Sequence, residues 1–485
     1  MAFLDESTWR GKVYSSGWKQ PAGGDAPVTE PATGEELGRA GIASAADIAA
    51  ATAAAAAAQP AWAAMPHTER AALLRRAGDI WKANAAEIEQ WNIRESGKIP
   101  PAAQFETHVA TEEVYEAATL PSRPYGELLP SELPHLSFAE RIPVGVVGVI
   151  APFNFPQILA IRSVAPALAL GNAVVLKPDP RTAVCGGVVL ARVFEEAGLP
   201  EGLLNVLPGG ADAGEALITD PLVRVISFTG STAVGRHVGQ LAGAHLKRCH
   251  LELGGNSAMI VMADADVAKA ASAGAWGSFL HQGQICMTTG RHIVHEAVYD
   301  DYVAALAGKA EHLPVGNPAT EQVALGPIID ERQRNKVHAL VTGSVDAGAK
   351  LAAGGTYEGL FYKPTVLAEV APAMPAYANE VFGPVAPVLR FSTADEAAKI
   401  AADTEYGLSL GILTGDVMRG LDLARRIPTG IVHINDQTVD DAPNTPFGGI
   451  LDSGTGARFG GTANLDAFTD TRWVTMRGEI APYPF

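Results

Sequence analysis

Cysteine is scarce in this chain: Cys185, Cys249 and Cys286 are the three in 485 residues, and none forms a CxxC pair. That argues against a disulfide framework and points to a reducing compartment, with each thiol free by default. An excess of positive charge is lacking altogether. Against 36 basic residues stand 53 acidic ones, a formal net charge of −17, so the surface repels nucleic acid and anionic membrane. The twelve histidines contain no HExxH motif and no Cys/His cluster, which disfavours a zinc enzyme and leaves no metal expected. No apolar run reaches the roughly 18 residues of a membrane span, because Gly, Pro and Asn interrupt the stretches 142–152 and 164–178. The opening MAFLDESTWRGKVY has neither an apolar core nor a small-residue cleavage site, so the expectation is a cytoplasmic protein without a signal peptide.

With 47% hydrophobic and 18% charged residues, the composition is that of an ordinary globular protein, long enough for two large domains or three smaller ones. The Ala-dense segment Ser44–Ala58 reads as a helix with Ser44 as its N-cap. Thr68–Trp91 carries Leu73, Leu74, Ala77, Ile80, Trp81 and Ile88 at helical spacing, which predicts one long amphipathic helix. From Arg141 the pattern turns to short β-branched runs, VGVVGVIAP, NAVVLKP, GLLNVLPG and VRVISFTG, separated by segments of helical length. This alternation predicts βαβ units around a buried parallel sheet. A second alternating series follows Gly254, so two α/β domains are expected to meet near 253–256. The segment 121–140, with Pro121, Pro124, Pro130 and Pro134, reads as an exposed arm or edge hairpin. Together with the tail after Ala463 it is a candidate oligomerisation element. No repeat of fixed period is present.

Cys286 lies in FLHQGQICMTTGR, where a thiol serves either as a nucleophile or as a small buried hydrophobe. Glu252 stands between leucines in HLELGGN. Apolar surroundings raise a carboxyl pKa towards neutrality, which suits a base that takes a proton from water, although a core glutamate bonded to backbone amides has the same signature. Asn154 in APFNFP follows a strand between two aromatics and two prolines. Its amide either stabilises an oxyanion, worth about 3 kcal/mol, or simply forms a turn. Lys177 ends the strand NAVVLK and would face the crevice where open α/β sheets bind ligands. In VRVISFTGSTAVG a strand runs into Gly230, Ser231 and Thr232 and then into a helix containing Gly235. Such a helix N-terminus suits a pyrophosphate, yet the run is neither GxGxxG nor GxxxxGK[ST].

Taken in order, PFNFP, LKPDPRT, FTGSTAVG, LELGGN, GQIC, NEVFGPV and FGGILDSGTG resemble the aldehyde dehydrogenase superfamily from about residue 25 to the end. The resemblance implies two doubly wound α/β domains plus a small bridging β element: a dinucleotide-binding domain over 1–120 and 141–252, a catalytic domain over 253–462, and an oligomerisation element over 121–140 and 463–485. It implies a homodimer or homotetramer with no nucleic-acid or membrane partner. It also implies NAD(P)-dependent oxidation of an aldehyde to the carboxylic acid through a cysteine thiohemiacetal and thioester. Residue by residue, Cys286 matches the nucleophile, Glu252 the general base and Asn154 the oxyanion donor. Lys177 matches the adenosine-ribose ligand, Ser231, with Gly230 and Gly235, the pyrophosphate site, and Glu380 the nicotinamide-ribose ligand. Phe382 matches the ring flanking the nicotinamide, beside Leu253 and Gly254.

Phe153 replaces the commoner Trp, and Pro180 stands where many NAD-preferring members carry an acid that binds ribose hydroxyls. A 2′-phosphate is then not repelled, and Arg181 is a candidate to attract it, so NAD is expected with NADP also accepted. The stretches around Asn154, Lys177 and Phe447 look most like the benzaldehyde, vanillin and salicylaldehyde branch. Pocket candidates there are Phe155, Leu159, Arg162, Ile285 and Met287. Of these, Phe155 and Leu159 are equally candidates for core packing, and Arg162 either meets a polar ring substituent or pairs with an acid. The alternatives are aliphatic aldehydes or semialdehydes, transfer of the acyl group to CoA or phosphate, and a Cys/Glu/Lys hydrolase of the amidase type. A silent binding protein is disfavoured by the joint presence of Cys286, Glu252 and Asn154.

Overall fold

A computed structural model describes residues 2–485. Five parallel strands lie in the spatial order Arg248–Glu252, Val223–Thr229, Val146–Ile150, Ala173–Lys177 and Leu204–Val206. They are extended by the antiparallel pair Val13–Ser15 and Trp18–Lys19 into a seven-stranded sheet. Numbered along the chain, the parallel strands run 5-4-1-2-3, a doubly wound order whose direction reverses between Val146–Ile150 and Val223–Thr229. The loops leaving those two strands run to opposite faces, and a crevice opens between them.

The second sheet also has seven strands, ordered Lys350–Ala353, Thr365–Ala368, Val385–Phe391, Thr289–His295, Ser257–Val261, Ser409–Leu413 and Ile431–Ile434, all parallel except the first. The last strand of the first sheet ends at Glu252 and the second sheet begins at Ser257. The two-domain α/β fold read from the alternation is the fold observed. The proline-rich arm and the tail come together in a third, antiparallel sheet of Gly126–Leu128, Leu136–Pro143 and Thr469–Met476. In it Leu136 pairs with Met476 and Pro143 with Thr469.

Most central strands are buried from end to end, as their unbroken β-branched runs require. The helix Pro156–Ala169 is buried at every position, and it continues directly from the turn that carries Asn154. The Ala-rich helix runs Ala45–Ala64 and is closed by a capping box between Ser44 and Asp47. One expectation is corrected. The predicted helix over Thr68–Trp91 is two helices, His67–Ala83 and Ala85–Ser96. At Asn84 (φ −106°, ψ 12°) the side-chain amide donates to the Ile80 carbonyl, competing with the helical ladder as Asn does. Apolar spacing continues on both sides of the break, so periodicity alone does not reveal it. Among the described residues, no helix is long and apolar enough to cross a membrane.

Candidate active site

A cleft of about 390 Å³ opens at the switch point. Asn154, Leu159, Lys177, Gly230 and Ser231 line it from the first half of the chain, and Leu253, Gly254, Cys286, Glu380 and Phe382 from the second. Residues far apart in sequence thus converge because the carboxyl ends of the first sheet meet the loops that enter the second sheet's strands at Ser257, Thr289 and Val385.

The loop of Cys286 is held in an uncommon conformation. The helix Val267–Phe279 stops, and His281, Gln282 and Gly283 take φ of 48°, 56° and 65° in succession. For His and Gln this left-handed geometry costs energy and persists only where the surroundings over-determine it. The Gln282 amide donates to the carbonyls of Gly97 (2.8 Å) and Pro327 (3.0 Å), while Gln284 Oε1 accepts from Ile329 N–H at 3.0 Å. Gly283 could be no other residue, because a Cβ would lie 2.0 Å from the Gly383 carbonyl oxygen. Beyond this turn Cys286 is half-buried and lines the cleft. Asn154 Nδ2 donates to the Gln284 carbonyl at 2.9 Å, which ties the asparagine to the loop of the thiol.

Burial pushes the Cys286 thiol up to about 12, with Glu380 and Glu252 adding to the rise and Arg162 opposing it. Glu380 is itself pushed up to about 7 by burial, although Gly255 N–H donates to its Oε1 at 3.0 Å. Glu252 is 3% exposed and lies outside the cleft lining. Its Oε2 accepts from Gly449 N–H at 3.3 Å, while Oε1 has no partner. Burial raises its pKa well above the ordinary glutamate value, against the pull of Arg162.

Lys177 Nζ donates to the Gly209 carbonyl at 2.8 Å. Ser231 is the N-cap residue of the helix Thr232–Ala244, its hydroxyl makes no capping bond, and no acid occupies the first turn. Gly254 leaves room that a side chain would fill, since a Cβ there would meet Glu380 Oε2 at 2.5 Å. Gly235 packs on Leu253 beside the cleft. The Phe382 carbonyl accepts from Gln333 Nε2 at 2.8 Å, and its ring meets Phe153 edge-on at 6.0 Å.

The substrate-side candidates divide. Leu159 lines the cleft, and Ile285 and Met287 are core residues beside it. Phe155 takes the core-packing reading, for its ring meets His281 edge-on at 5.2 Å and lies under the Lys98 ammonium. Arg162 pairs with an acid, as one of its two readings had it. Its Nη2 meets the Asp441 carboxylate and lies 3.9 Å from Glu113, and its guanidinium stacks 4.4 Å above the Phe447 ring. Arg162 Nε and Nη1 have no partner. Arg181 is not free either. Its bidentate bonds to Asp179 measure 2.9 and 2.7 Å, and Nη1 donates to Asp330 at 2.7 Å. Asp441 and Asp330 were not identified from the sequence, and no local pattern marks them.

A family model described as the aldehyde dehydrogenase family matches residues 18–474. The chain is 70% identical over 486 residues to a vanillin dehydrogenase of Amycolatopsis sp., with both chains fully covered. It is 50% identical over 482 residues to a benzaldehyde dehydrogenase (NAD(+)) of Pseudomonas putida, covering 99% of each. A solved salicylaldehyde dehydrogenase from Pseudomonas putida G7, complexed with salicylaldehyde, matches with a TM-score of 0.94 at 36% identity, over 98% of this chain and 99% of that one.

Because the thiolate is the reactive form, alkylation of Cys286 by iodoacetamide, followed by peptide mass spectrometry without added ligand, is expected to be slow at pH 7 and still rising at pH 9. Glu380→Gln removes one of the carboxylates that raise the thiol, so its profile moves to lower pH and its rate at pH 8 increases. An unchanged profile would show that Glu380 does not act on the sulfur.

Proposed function

The chain belongs to the aldehyde dehydrogenase family, and on that premise we propose that its substrates are aromatic aldehydes of the benzaldehyde and vanillin type, oxidised with NAD in preference to NADP. The reaction itself is the NAD(P)-dependent oxidation of an aldehyde to a carboxylic acid. The observation that carries the aromatic reading is the 70% identity to a vanillin dehydrogenase over the whole chain. The apolar side chains of Leu159, Ile285 and Met287 beside the thiol agree with it.

The cleft fits a dinucleotide. An uncapped, acid-free helix N-terminus at Ser231 suits a pyrophosphate, Lys177 and Glu380 offer polar partners for two riboses, and Gly254 leaves the close approach open. When bound, the nicotinamide supplies the acceptor for the two electrons and the hydrogen that leave the aldehyde carbon. Cys286 Sγ adds as thiolate to that carbon. Asn154 Nδ2 and the Cys286 backbone N–H hold the oxygen that becomes negative. Once the thioester has formed on Cys286, Glu252 takes a proton from the attacking water. Its unpartnered Oε1 is open to accept that proton, and burial, which raises its pKa, favours the protonated form it then takes.

We assign the first sheet, with 1–120 and 141–252, to cofactor binding and 253–462 to catalysis. The third sheet, from 121–140 and 463–485, joins subunits. Its exposed Leu128, Leu136, Trp473 and Met476 support that role.

For cofactor choice, Pro180 provides no acid, yet Arg181 presents no free charge because two carboxylates hold it. A 2′-phosphate therefore gains little, and NAD is favoured.

Cys286→Ala is expected to abolish NADH formation from benzaldehyde while dinucleotide binding survives, and turnover at the wild-type rate would refute the nucleophile. Glu252→Gln is expected to give a burst of reduced cofactor followed by slow turnover, measured by stopped-flow absorbance at 340 nm. Steady-state rates of wild-type size would exclude Glu252 as the base. A panel of benzaldehyde, vanillin, hexanal and succinic semialdehyde is expected to rank the two aromatic compounds highest in kcat/KM, and a clear preference for the aliphatic pair would overturn the substrate assignment. Asp330→Asn keeps an acceptor for its helix cap, the Gln333 N–H, but releases one side of Arg181. Calorimetric titration should then show Kd for NADP falling about tenfold relative to NAD, or about 1.4 kcal/mol; an unmoved ratio would remove Arg181 from cofactor selection.

A further inference from the structure

The turn that carries Asn154 has an unusual support. Asn154, Phe155, Pro156 and Gln157 lead into the buried helix Pro156–Ala169, whose N-terminus has no side-chain cap of its own. Pro156 has no N–H, so Gln157 presents the next backbone donor, and a buried donor needs a partner. Glu106, from the helix Pro100–Ala117, accepts that N–H at 2.8 Å through Oε1. At the other end of the turn, Lys98 Nζ donates to the Asn154 carbonyl at 2.5 Å. The two side chains bond one another, Nζ to Oε2, at 2.9 Å, and both are 0% exposed. Asn92 Nδ2 fills the remaining site on Glu106 at 2.7 Å. Ammonium, turn and carboxylate thus close a ring: Lys98 grips the Asn154 carbonyl and Glu106 the Gln157 N–H.

The same strand of chain also touches the thiol loop. The carbonyl of Gly97, next to Lys98, accepts from Gln282 Nε2, four residues before Cys286. A Cβ at Gly97 would lie 2.7 Å from Pro327, so this segment has no room to slide. A buried ion pair is a poor source of stability, since desolvation offsets its attraction, whereas fixing a reacting geometry is a use to which it is suited.

We propose that the buried Lys98–Glu106 pair is a positioning element that holds Asn154 in register with Cys286, acting on the reaction through the Asn154 amide alone. The inference rests on the reading of Asn154 as the oxyanion donor. Neither Lys98 nor Glu106 lines the cleft, so both act through the turn.

The test is a double-mutant cycle on the full-length enzyme, with Lys98→Met made in the wild-type and in the Asn154→Ala background. In the wild type, kcat should fall about ten- to a hundredfold, as small misplacements of a reacting group do, with KM for benzaldehyde within about twofold. In the Asn154→Ala enzyme the same substitution should change kcat less than about twofold, because the group it positions is gone. A merely structural role would not spare the second background. An equal loss in both backgrounds, or no loss in the wild type, overturns the inference. Should Lys98→Met fail to fold, Glu106→Gln goes through the same cycle with the same expectations, thermal melting being recorded in parallel. Asn154→Ala with wild-type kcat would remove the underlying reading and the inference together, so the two failures are distinguishable.

Discussion

Cys286 is half-buried at the wall of the cleft, and the cost of burying charge orders the rest of the site. Desolvation raises the thiol, Glu252 and Glu380 together. Each group is driven towards its neutral form, because an isolated ion in a dry pocket is far costlier than a proton taken up. Two carboxylates beside a sulfur would add mutual repulsion. The nearest cation opposing it, Arg162, is itself divided between Asp441 and Glu113. Without a bound ligand the thiol is therefore held protonated at neutral pH, and the groups whose pKa burial shifts most are the ones gathered at the reacting centre.

The cleft itself exists because of topology. In the first sheet the winding reverses between Val146–Ile150 and Val223–Thr229, so the loops carrying Asn154 and Ser231 part. The second sheet brings Cys286, Glu380 and Phe382 across the opening. Neither half closes the site alone. The asparagine reaches the thiol loop through one hydrogen bond to the Gln284 carbonyl. Three successive left-handed residues hold that loop in place, Gln282 donating to the Gly97 and Pro327 carbonyls and the following Gln284 accepting from Ile329 N–H. Charges near the site are paired: Lys98 with Glu106 in the interior beneath the Asn154 turn, and Arg181 at the cleft with Asp179 and Asp330.

Much of this was open to a sequence reader. β-branched runs ending at Lys177 and Thr229 announce buried parallel strands, because a strand covered on both faces has little polar side to show; the strand ending at Glu252, RCHLE, carries no such signal. Lys177 and Thr229 line the crevice because ligands of open α/β sheets bind at the carboxyl ends of parallel strands. Asn84 shows the limit of periodicity: its side chain breaks a helix whose apolar spacing does not falter. Phe155 shows another, since an aromatic next to a catalytic candidate faces either cavity or core. Here it turns to His281 and Lys98.

The chain order by itself determined the element types, the two-sheet architecture and the identity of Asn154, Glu252 and Cys286 as chemically apt groups, because hydrophobic period and local motifs are properties of neighbours in sequence. Only the tertiary structure decided who meets whom across separations of 56 to 279 positions: Arg162 with Asp441, Arg181 with Asp330, Lys98 with the Asn154 carbonyl. These pairings depend on a charged group finding a partner near it in space, and distance along the chain carries no trace of that.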